Sequence, residues 1–439
     1  DEADEYVRVY TDLGNLEHGL HGLNWAPDGK LYMSKGNSKG LNQPERYAPK
    51  PFRELWGMVA PDGTPDFPTP QTFRKGEYQH AYHDPADDWG LYGGVLRCDD
   101  GGRNLEIVSR GFRNPWDITF DSGFNWLGTD NDQTQGDRVF MPFFGAHFGW
   151  NHPWNAQWSD AVDGPTAPVS GPLFEGSGTG MVFYDAPQFP EPYRRVFFIN
   201  DWLRKTTFLW RPTWDGALLR PQGNQWETFV EGGKSLYRPT DLEVGPDGSL
   251  WVLGWSRGYG VEWRDGKMTN EGRIFRISWR GDAELPSPPP LRSRAMRDRT
   301  VAQLLDCFLG PLPIWRTDAQ RELMRRGQAV RGPLIEHLAR GQLTEMQETW
   351  VAWSLGLLEP RDQAVDQIFA EYLLPGSSAS LNLRIQAVRI LAQRFVASQR
   401  QIALAAMLRP ARLSQEPRLR FAWVQAVRRT RAVSLSDAL

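Results

Sequence analysis

Gly22-Leu-Asn-Trp-Ala-Pro-Asp-Gly-Lys-Leu-Tyr-Met-Ser34 is the stretch that decides how the first part of this chain folds. Short alternating runs flank Pro27-Asp28-Gly29, and a Pro-Asp-Gly turn between such runs reads as a β-hairpin, with positive φ supplied by Gly or Asp. The pattern recurs. Asp117-Ile-Thr-Phe-Asp-Ser-Gly-Phe-Asn-Trp-Leu-Gly128 is a second copy and Asp241-Leu-Glu-Val-Gly-Pro-Asp-Gly-Ser-Leu-Trp-Val-Leu253 a third. Tyr193-Arg-Arg-Val-Phe-Phe-Ile-Asn200 resembles the second strand of a fourth. Recurring hairpins separated by loops point to a β-propeller. A sandwich is the main competitor, but its strands would not repeat one turn. About four blade units are legible, few for a closed ring.

Outward from these hairpins the chain changes character. Its 439 residues suit two to three domains, and 40% apolar with 23% charged side chains suits a globular protein with a sizeable core. Residues 1–280 hold 16 of the 20 tryptophans and 36 of the 43 glycines, and carry a net charge of −10. Beyond residue 280 there is no lysine, every base is arginine, and the net charge is +7. The overall charge of −3 gives no polyanion-binding signature, so nucleic acid is not an expected partner. No apolar run is long enough to span a membrane. Two cysteines, Cys98 and Cys307, make neither a disulfide framework nor a CxxC zinc site nor a CxxCH haem attachment.

The proline-rich segment Glu284-Leu-Pro-Ser-Pro-Pro-Pro290 is stiff enough to act as a spacer. The expected organisation is a β-propeller over residues 1–282, a linker over 283–294, and helical repeats over 295–439. Apolar residues recur at helical spacing over 318–326, 330–340, 346–358, 363–374, 381–395 and 418–429, with Gly-Pro, Glu-Pro and Pro-Gly breaks between. Stacked helix pairs imply a HEAT-like array; a compact four-helix bundle is the alternative.

Six of the seven histidines precede residue 153, among them His18 and His21, in a stretch that precedes the first blade strand. His80-Ala-Tyr-His83-Asp84 has metal-compatible spacing but no evident further ligands. The acidic loop Gly128–Asp137, with Asp130, Asp132 and Asp137, offers oxygens that a hard cation such as Ca²⁺ prefers, or is a solvated turn held by Asx hydrogen bonds. Arg113, Arg204 and Arg238 lie beside or within blade strands, and three guanidiniums on one face would make an anion pocket; singly, each reads as a surface ion-pair partner. Most tryptophans are expected to fill space between blades. Trp150 and Trp154 fall in loops and are candidates for stacking on a sugar ring or planar cofactor.

His18, then Ala-Pro-Asp-Gly-Lys-Leu-Tyr32, then Gly111-Phe-Arg-Asn-Pro115, an acidic loop and Gly145-Ala-His-Phe-Gly-Trp150 occur in the order of soluble glucose/sorbosone dehydrogenases. The chain resembles that family, and more narrowly the propeller–HEAT "membrane-bound dehydrogenase" proteins of planctomycetes. The resemblance implies a six-bladed propeller using pyrroloquinoline quinone (PQQ) and Ca²⁺ to oxidise a sugar or polyol. His18 then resembles the general base, Arg113 and Asn114 the contacts of the reactive quinone oxygens, and Arg204 and Arg238 further cofactor contacts. Trp150, in the last of these motifs, is the tryptophan taken as a cofactor contact. Asp132 and Gln133 correspond to residues that lend backbone carbonyls to Ca²⁺, and Asp137 to an acidic residue near the active site; Asp130 is a metal candidate from the acidic loop itself. Where the family places an aspartate that orients the base, this chain has Asn37.

The resemblance begins about two blades into the family's pattern, so either the first blades are missing or the ring closes with fewer. With no CxxCH after the helices, electrons would leave to an external acceptor such as a c-type cytochrome. The expected location is periplasmic or at the cell surface, and the lack of a signal peptide in this sequence reads as a mature or trimmed chain. Two further readings stay open: a non-catalytic scaffold binding carbohydrate or protein, and a cation-dependent carbohydrate-active propeller without quinone.

Overall fold

The computed structural model describes residues 18–36, 93–131, 137–150, 167–172, 176–224, 226–232, 237–255, 272–281, 295–310, 312–398 and 404–430, with the backbone alone at 5–8, 71–74, 263–264 and 267–268. Asn37, His80, His83, Asp132, Gln133, Trp154 and the linker 283–294 lie outside the described residues.

Strands β1 (Glu5–Arg8) and β4 (Gln71–Arg74) pair antiparallel. The first large sheet holds β2 (Leu20–Trp25), β3 (Leu31–Lys35), β5 (Gly93–Cys98), β6 (Glu106–Phe112) and β10 (Ala146–His147), in the order β10-β6-β5-β3-β2. The second holds β7 (Pro115–Phe120), β8 (Trp126–Asp130), β9 (Arg138–Phe140) and β11 (Gly171–Pro172), in the order β11-β9-β8-β7. The third runs β12 (Gly178–Tyr184), β13 (Val196–Asp201), β14 (Thr206–Trp210) and β17 (Glu227–Glu231), with a small β15 (Pro212–Asp215)–β16 (Leu218–Pro221) hairpin inserted. The fourth is β18 (Pro239–Val244), β19 (Leu250–Gly254) and β22 (Arg273–Ile277), with the short pair β20 (Trp263–Arg264)–β21 (Lys267–Met268) between.

Each copy of the hairpin pattern therefore supplies the first two strands of its own sheet, or in the Tyr193–Asn200 case the second strand. Successive up-and-down sheets follow from that repetition. The turns differ in one respect from expectation. Gly29 (φ 73°) and Gly248 (φ 78°) supply the left-handed residue of the first and third copies, but in the second it is Phe124 (φ 57°), not Gly123. A non-glycine residue there costs about 1–2 kcal/mol. The offsetting interactions are visible: Asp121 accepts the Gly123 and Asn125 amides at 3.0 and 2.8 Å, and the Phe124 ring meets Phe120, Trp126 and Trp353 edge-on.

The chain forms two compact units. Residues 1–25, 29–119 and 127–180 make one; residues 26–28, 120–126 and 181–439 make the other. In the second unit a core of Val182, Tyr184, Val196, Phe198, Leu209, Leu242, Leu250 and Val252 joins the third and fourth sheets.

The second unit also contains the helices: α1 (Val301–Asp306), α2 (Pro313–Arg326), α3 (Arg331–Ala339), α4 (Glu345–Leu357), α5 (Gln363–Tyr372), α6 (Leu381–Ser398), α7 (Leu404–Arg412) and α8 (Pro417–Thr430). Six match the periodic segments of the sequence to within a few residues. The other two, α1 and α7, give no periodic signal because one has six residues and the other carries Pro410, which reads as a breaker. Thr300 with Gln303 and Thr344 with Gln347 form capping boxes that satisfy the first amides of α1 and α4.

The helices close on buried arginines. Arg394 of α6 pairs with Asp366 of α5 at 2.6 Å, and it donates to the carbonyls of Gly356 and Leu358 at the end of α4 and of Glu359 and Asp362 just after it. Helix C-termini leave carbonyls without intrahelical donors, and one planar guanidinium answers several at once. Within the same unit, Gln320, Thr349, Gln386 and Arg389 donate to the carbonyls of Pro27, Ser122, Gly123 and Phe124. Among the described residues no helix is long and apolar enough to cross a membrane.

Arg394→Ala leaves Asp366 charged and buried with its acceptor neighbours unmet, and is expected to cost about 3–5 kcal/mol in urea unfolding. Arg394→Lys should recover little of it, because an ammonium cannot reach the separated carbonyls together.

Candidate functional site

The first unit gathers several of the sequence candidates at one end of its two sheets. His18, which is buried, precedes β2, and the chain returns beside it at Gly36, where the Gly36 amide donates to Gly19 O at 3.1 Å. A Cβ on Gly36 would stand 2.5 Å from His18 Cβ and 2.8 Å from Asn114 Oδ1. Glycine at 36 thus leaves the room that His18 and Asn114 each occupy beside it. The neighbouring Lys35 is fully buried, and its ammonium donates to Gly36 O at 3.0 Å.

Arg113 and Asn114 sit in the turn between β6 and β7. Asp130, at the end of β8, holds that turn from below. One carboxylate oxygen accepts the amides of Arg113 (3.2 Å) and Asn114 (2.8 Å). The other accepts Nε and Nη2 of Arg138 at 3.1 and 3.0 Å. Arg138 also donates to Phe148 O (2.6 Å) and Gly111 O (3.0 Å), and its guanidinium lies near the Phe112 and Phe148 rings. Burial pushes the Asp130 carboxyl up, against the opposing pull of Arg138 and the two amides.

Asp130, expected in the cation loop, has its oxygens on a guanidinium and backbone amides, where it buttresses the Arg113–Asn114 turn. Asp137 likewise has an oxygen engaged by the Gly178 amide. Among the described residues, no group of three or more His, Cys, Asp or Glu side chains is placed to hold a metal ion.

Arg113 is half-buried. Its Nη1 donates to both the carbonyl (3.2 Å) and the side-chain oxygen (3.0 Å) of Asn131, which aims the guanidinium while leaving Nε and Nη2 without hydrogen bonds among the described residues. Trp150 is half-buried, and its amide donates to Gly111 O at 2.9 Å. Arg204 and Arg238 belong to the second unit. There Arg204 is exposed, and its amide caps Asp201 at 2.7 Å. The Arg238 guanidinium lies 4.6 Å from the centre of the buried Trp202 ring.

Sequence reasoning assigns no role to His21 and does not reveal the Asp130–Arg138 pair. His21 stacks on Trp116, with ring centroids 4.2 Å apart and planes at 16°, and its Nε2 is buried without a hydrogen-bond partner among the described residues. Burial, reinforced by the charge of neighbouring His18, pulls the imidazole down to about 4. Its three-residue spacing from His18 is the signal the sequence offers.

Residues 74–280 match the profile of a family described as a domain of unknown function, DUF7133. Solved structures similar to the chain include a putative oxidoreductase (glucose dehydrogenase) from Thermus thermophilus, at 19% identity and TM-score 0.38 over 60% of this chain and 66% of that one. The chain thus spans just under two thirds of that structure's length. The soluble aldose sugar dehydrogenase of Escherichia coli in its apo-form is similar at 16% identity and TM-score 0.34, over 60% of this chain and 83% of that one. The PQQ-bound aldose sugar dehydrogenase of Streptomyces coelicolor is similar at 15% identity and TM-score 0.32, over 63% of this chain and 99% of that one. No protein of curated function matches the chain.

Asp130→Asn strands Arg138 as an uncompensated buried cation and is expected to lower stability by about 3–5 kcal/mol in chemical denaturation, with or without added Ca²⁺. Recovery by Ca²⁺ would return Asp130 to the cation loop. For His21 the unfolded imidazole titrates near 6.5 and the folded one at about 4, so the unfolded state binds the extra proton between those values. Stability from this residue is present above pH 6.5 and is lost as pH falls toward 4. His21→Phe should flatten the decline of Tm over that window.

Proposed function

We propose that this chain oxidises a hydroxyl group of a sugar or polyol, with PQQ as the hydride acceptor held beside His18, Arg113 and Asn114 in a propeller-type β region. The observation that carries the reading is the close approach of both His18 and Asn114 to Gly36, beside an arginine aimed by Asn131 with two guanidinium nitrogens without hydrogen bonds among the described residues. Those are the residue types a quinone with anionic substituents needs: a donor fork for its oxygens, an amide, and a base at the reacting side.

PQQ, when bound, supplies the two-electron acceptor for the hydride leaving the hydroxyl-bearing carbon. His18 takes the hydroxyl proton on an imidazole nitrogen; its burial excludes competing water. Arg113 binds and orients through Nε and Nη2, and Asp130 with Arg138 keeps the turn beneath it rigid. The cation fits less well, because Asp130 is engaged by Arg138; Ca²⁺ enters this proposal only through Asp132 and Gln133, by resemblance. Arg204 and Arg238 are carried as cofactor contacts by resemblance as well, and Trp150 as a loop tryptophan suited to stacking on a planar cofactor. An external acceptor such as a c-type cytochrome and a periplasmic or surface location belong to the same proposal.

A second reading, a carbohydrate- or protein-binding scaffold, is favoured by Asn37, where a carboxylate would strengthen the base, and by the engagement of Asp130. One assay separates them. Protein loaded with PQQ and Ca²⁺ is expected to reduce a dye in the presence of an aldose or polyol, and His18→Ala to lose at least about 100-fold in rate. Arg113→Met should weaken PQQ uptake about tenfold or more, read by absorbance. Absence of PQQ uptake at micromolar concentration would overturn the dehydrogenase reading, and sugar binding without turnover would establish the scaffold.

A further inference from the structure

The fourth sheet leaves one of its faces exposed, and that face is apolar. Strands inside the first three sheets are covered on both sides: β5, β8, β13 and β14 consist of buried residues throughout. In β19 burial alternates instead. Leu250 and Val252 enter the core shared with the third sheet, while Trp251 and Leu253 are 39% and 46% exposed. Trp255 continues the alternation at 45%, and Ile274 of β22, paired with Leu253, is 67% exposed. Yet Leu250-Trp-Val-Leu253 is a continuous apolar run, the pattern of a strand covered on both sides. An exposed apolar face with tryptophan at its middle and charge at its rim has the composition of an association surface.

Charge is ordered across the face. The β18–β19 and β19–β22 pairings line up Glu243, Trp251 and Arg276 in one row and Asp241, Leu253 and Ile274 in the next. Acid therefore runs along one edge, apolar side chains fill the middle, and a base stands at the other edge. Desolvation and the Asp241 charge push the Glu243 carboxyl up to about 7, opposed only by the Val244 amide. No cation of the same chain enters that balance. Arg276 is aimed from its own side of the sheet: Nε donates to Ser249 Oγ at 3.2 Å and Nη2 pairs with Asp247. Its Nη1 has no hydrogen bond among the described residues.

We propose that this face joins two copies of the chain, β19 against β19, about a two-fold axis parallel to that strand. Such an axis keeps each row at its level and exchanges the two edges. Glu243 then faces the partner's Arg276, and Arg276 faces the partner's Glu243. Trp251 meets the partner's Trp251 on the axis, and Leu253 the partner's Leu253. An axis across the strands would set Glu243 on the partner's Glu243, which like-charge repulsion disfavours. Two sheets stacked in the proposed way lie about 10 Å apart with their strands nearly aligned. A three-stranded face is at the small end of specific interfaces, so the dimer is a reversible one.

Sedimentation velocity between about 5 and 200 µM is expected to show the wild type passing from monomer to dimer. Trp251→Thr should weaken association at least about tenfold, because a tryptophan at the centre of an interface carries a large share of its energy. Glu243→Arg and Arg276→Glu should each be monomeric over the same range, since either one sets two like-charge pairs across the axis. Mixed in equal amounts they should dimerise as the wild type does, because every facing pair is then opposite in sign. Tm confirms that each variant folds; should Arg276→Glu unfold through its loss of Asp247, Glu243→Arg and Trp251→Thr decide the matter. A wild type that stays monomeric throughout the range overturns the proposal. So does a dimer indifferent to Glu243→Arg, or a pair of reversed variants that associate no better together than alone.

Discussion

The pair Asp130–Arg138 is the interaction on which the first unit's candidate site depends. Both side chains are buried, and isolated charges there would be prohibitively costly. The structure meets that cost with a full set of partners: one oxygen takes two amides of the Arg113–Asn114 turn, the other takes a fork from Arg138, and Arg138 reaches two further carbonyls. The ends of β6, β8 and β9 are thereby locked at one point. Rigidity at that point lets Arg113 stand with part of its guanidinium uncommitted, a state that a loose loop would relieve by collapsing onto the nearest acid.

The helical region uses the same chemistry for a different end. Arg394 and Arg389 answer backbone carbonyls that helix termini and tight turns leave without donors. A lysine can satisfy one such place but not several in a plane, which gives a physical reason for arginine at these positions. The arginine-only composition beyond residue 280 is in part a packing requirement rather than a mark of an anionic partner.

Much of the fold is legible in the residues. Turn chemistry at Pro27-Asp28-Gly29 and Pro246-Asp247-Gly248, and alternation on either side, place four sheets because those signals are local. Helical period does the same for six of the eight helices among the described residues; α1 is too short and α7 is hidden by Pro410. The site is half legible: His18, Arg113 and Asn114 stand in recognisable motifs, and Gly36 joins two of them. The Asp130–Arg138 pair is not legible, because a carboxylate in an acidic loop looks alike whether it faces a cation or an arginine eight residues on. His21 carries no legible role, since stacking on Trp116 and a missing partner at Nε2 exist only once β2 and β7 are side by side. Local sequence determined where strands, turns and helices begin, because φ preferences and hydrophobic period act over a few residues. Only the tertiary structure decided which buried charges pair and which polar atoms stay unmet, because those depend on groups brought together from distant parts of the chain.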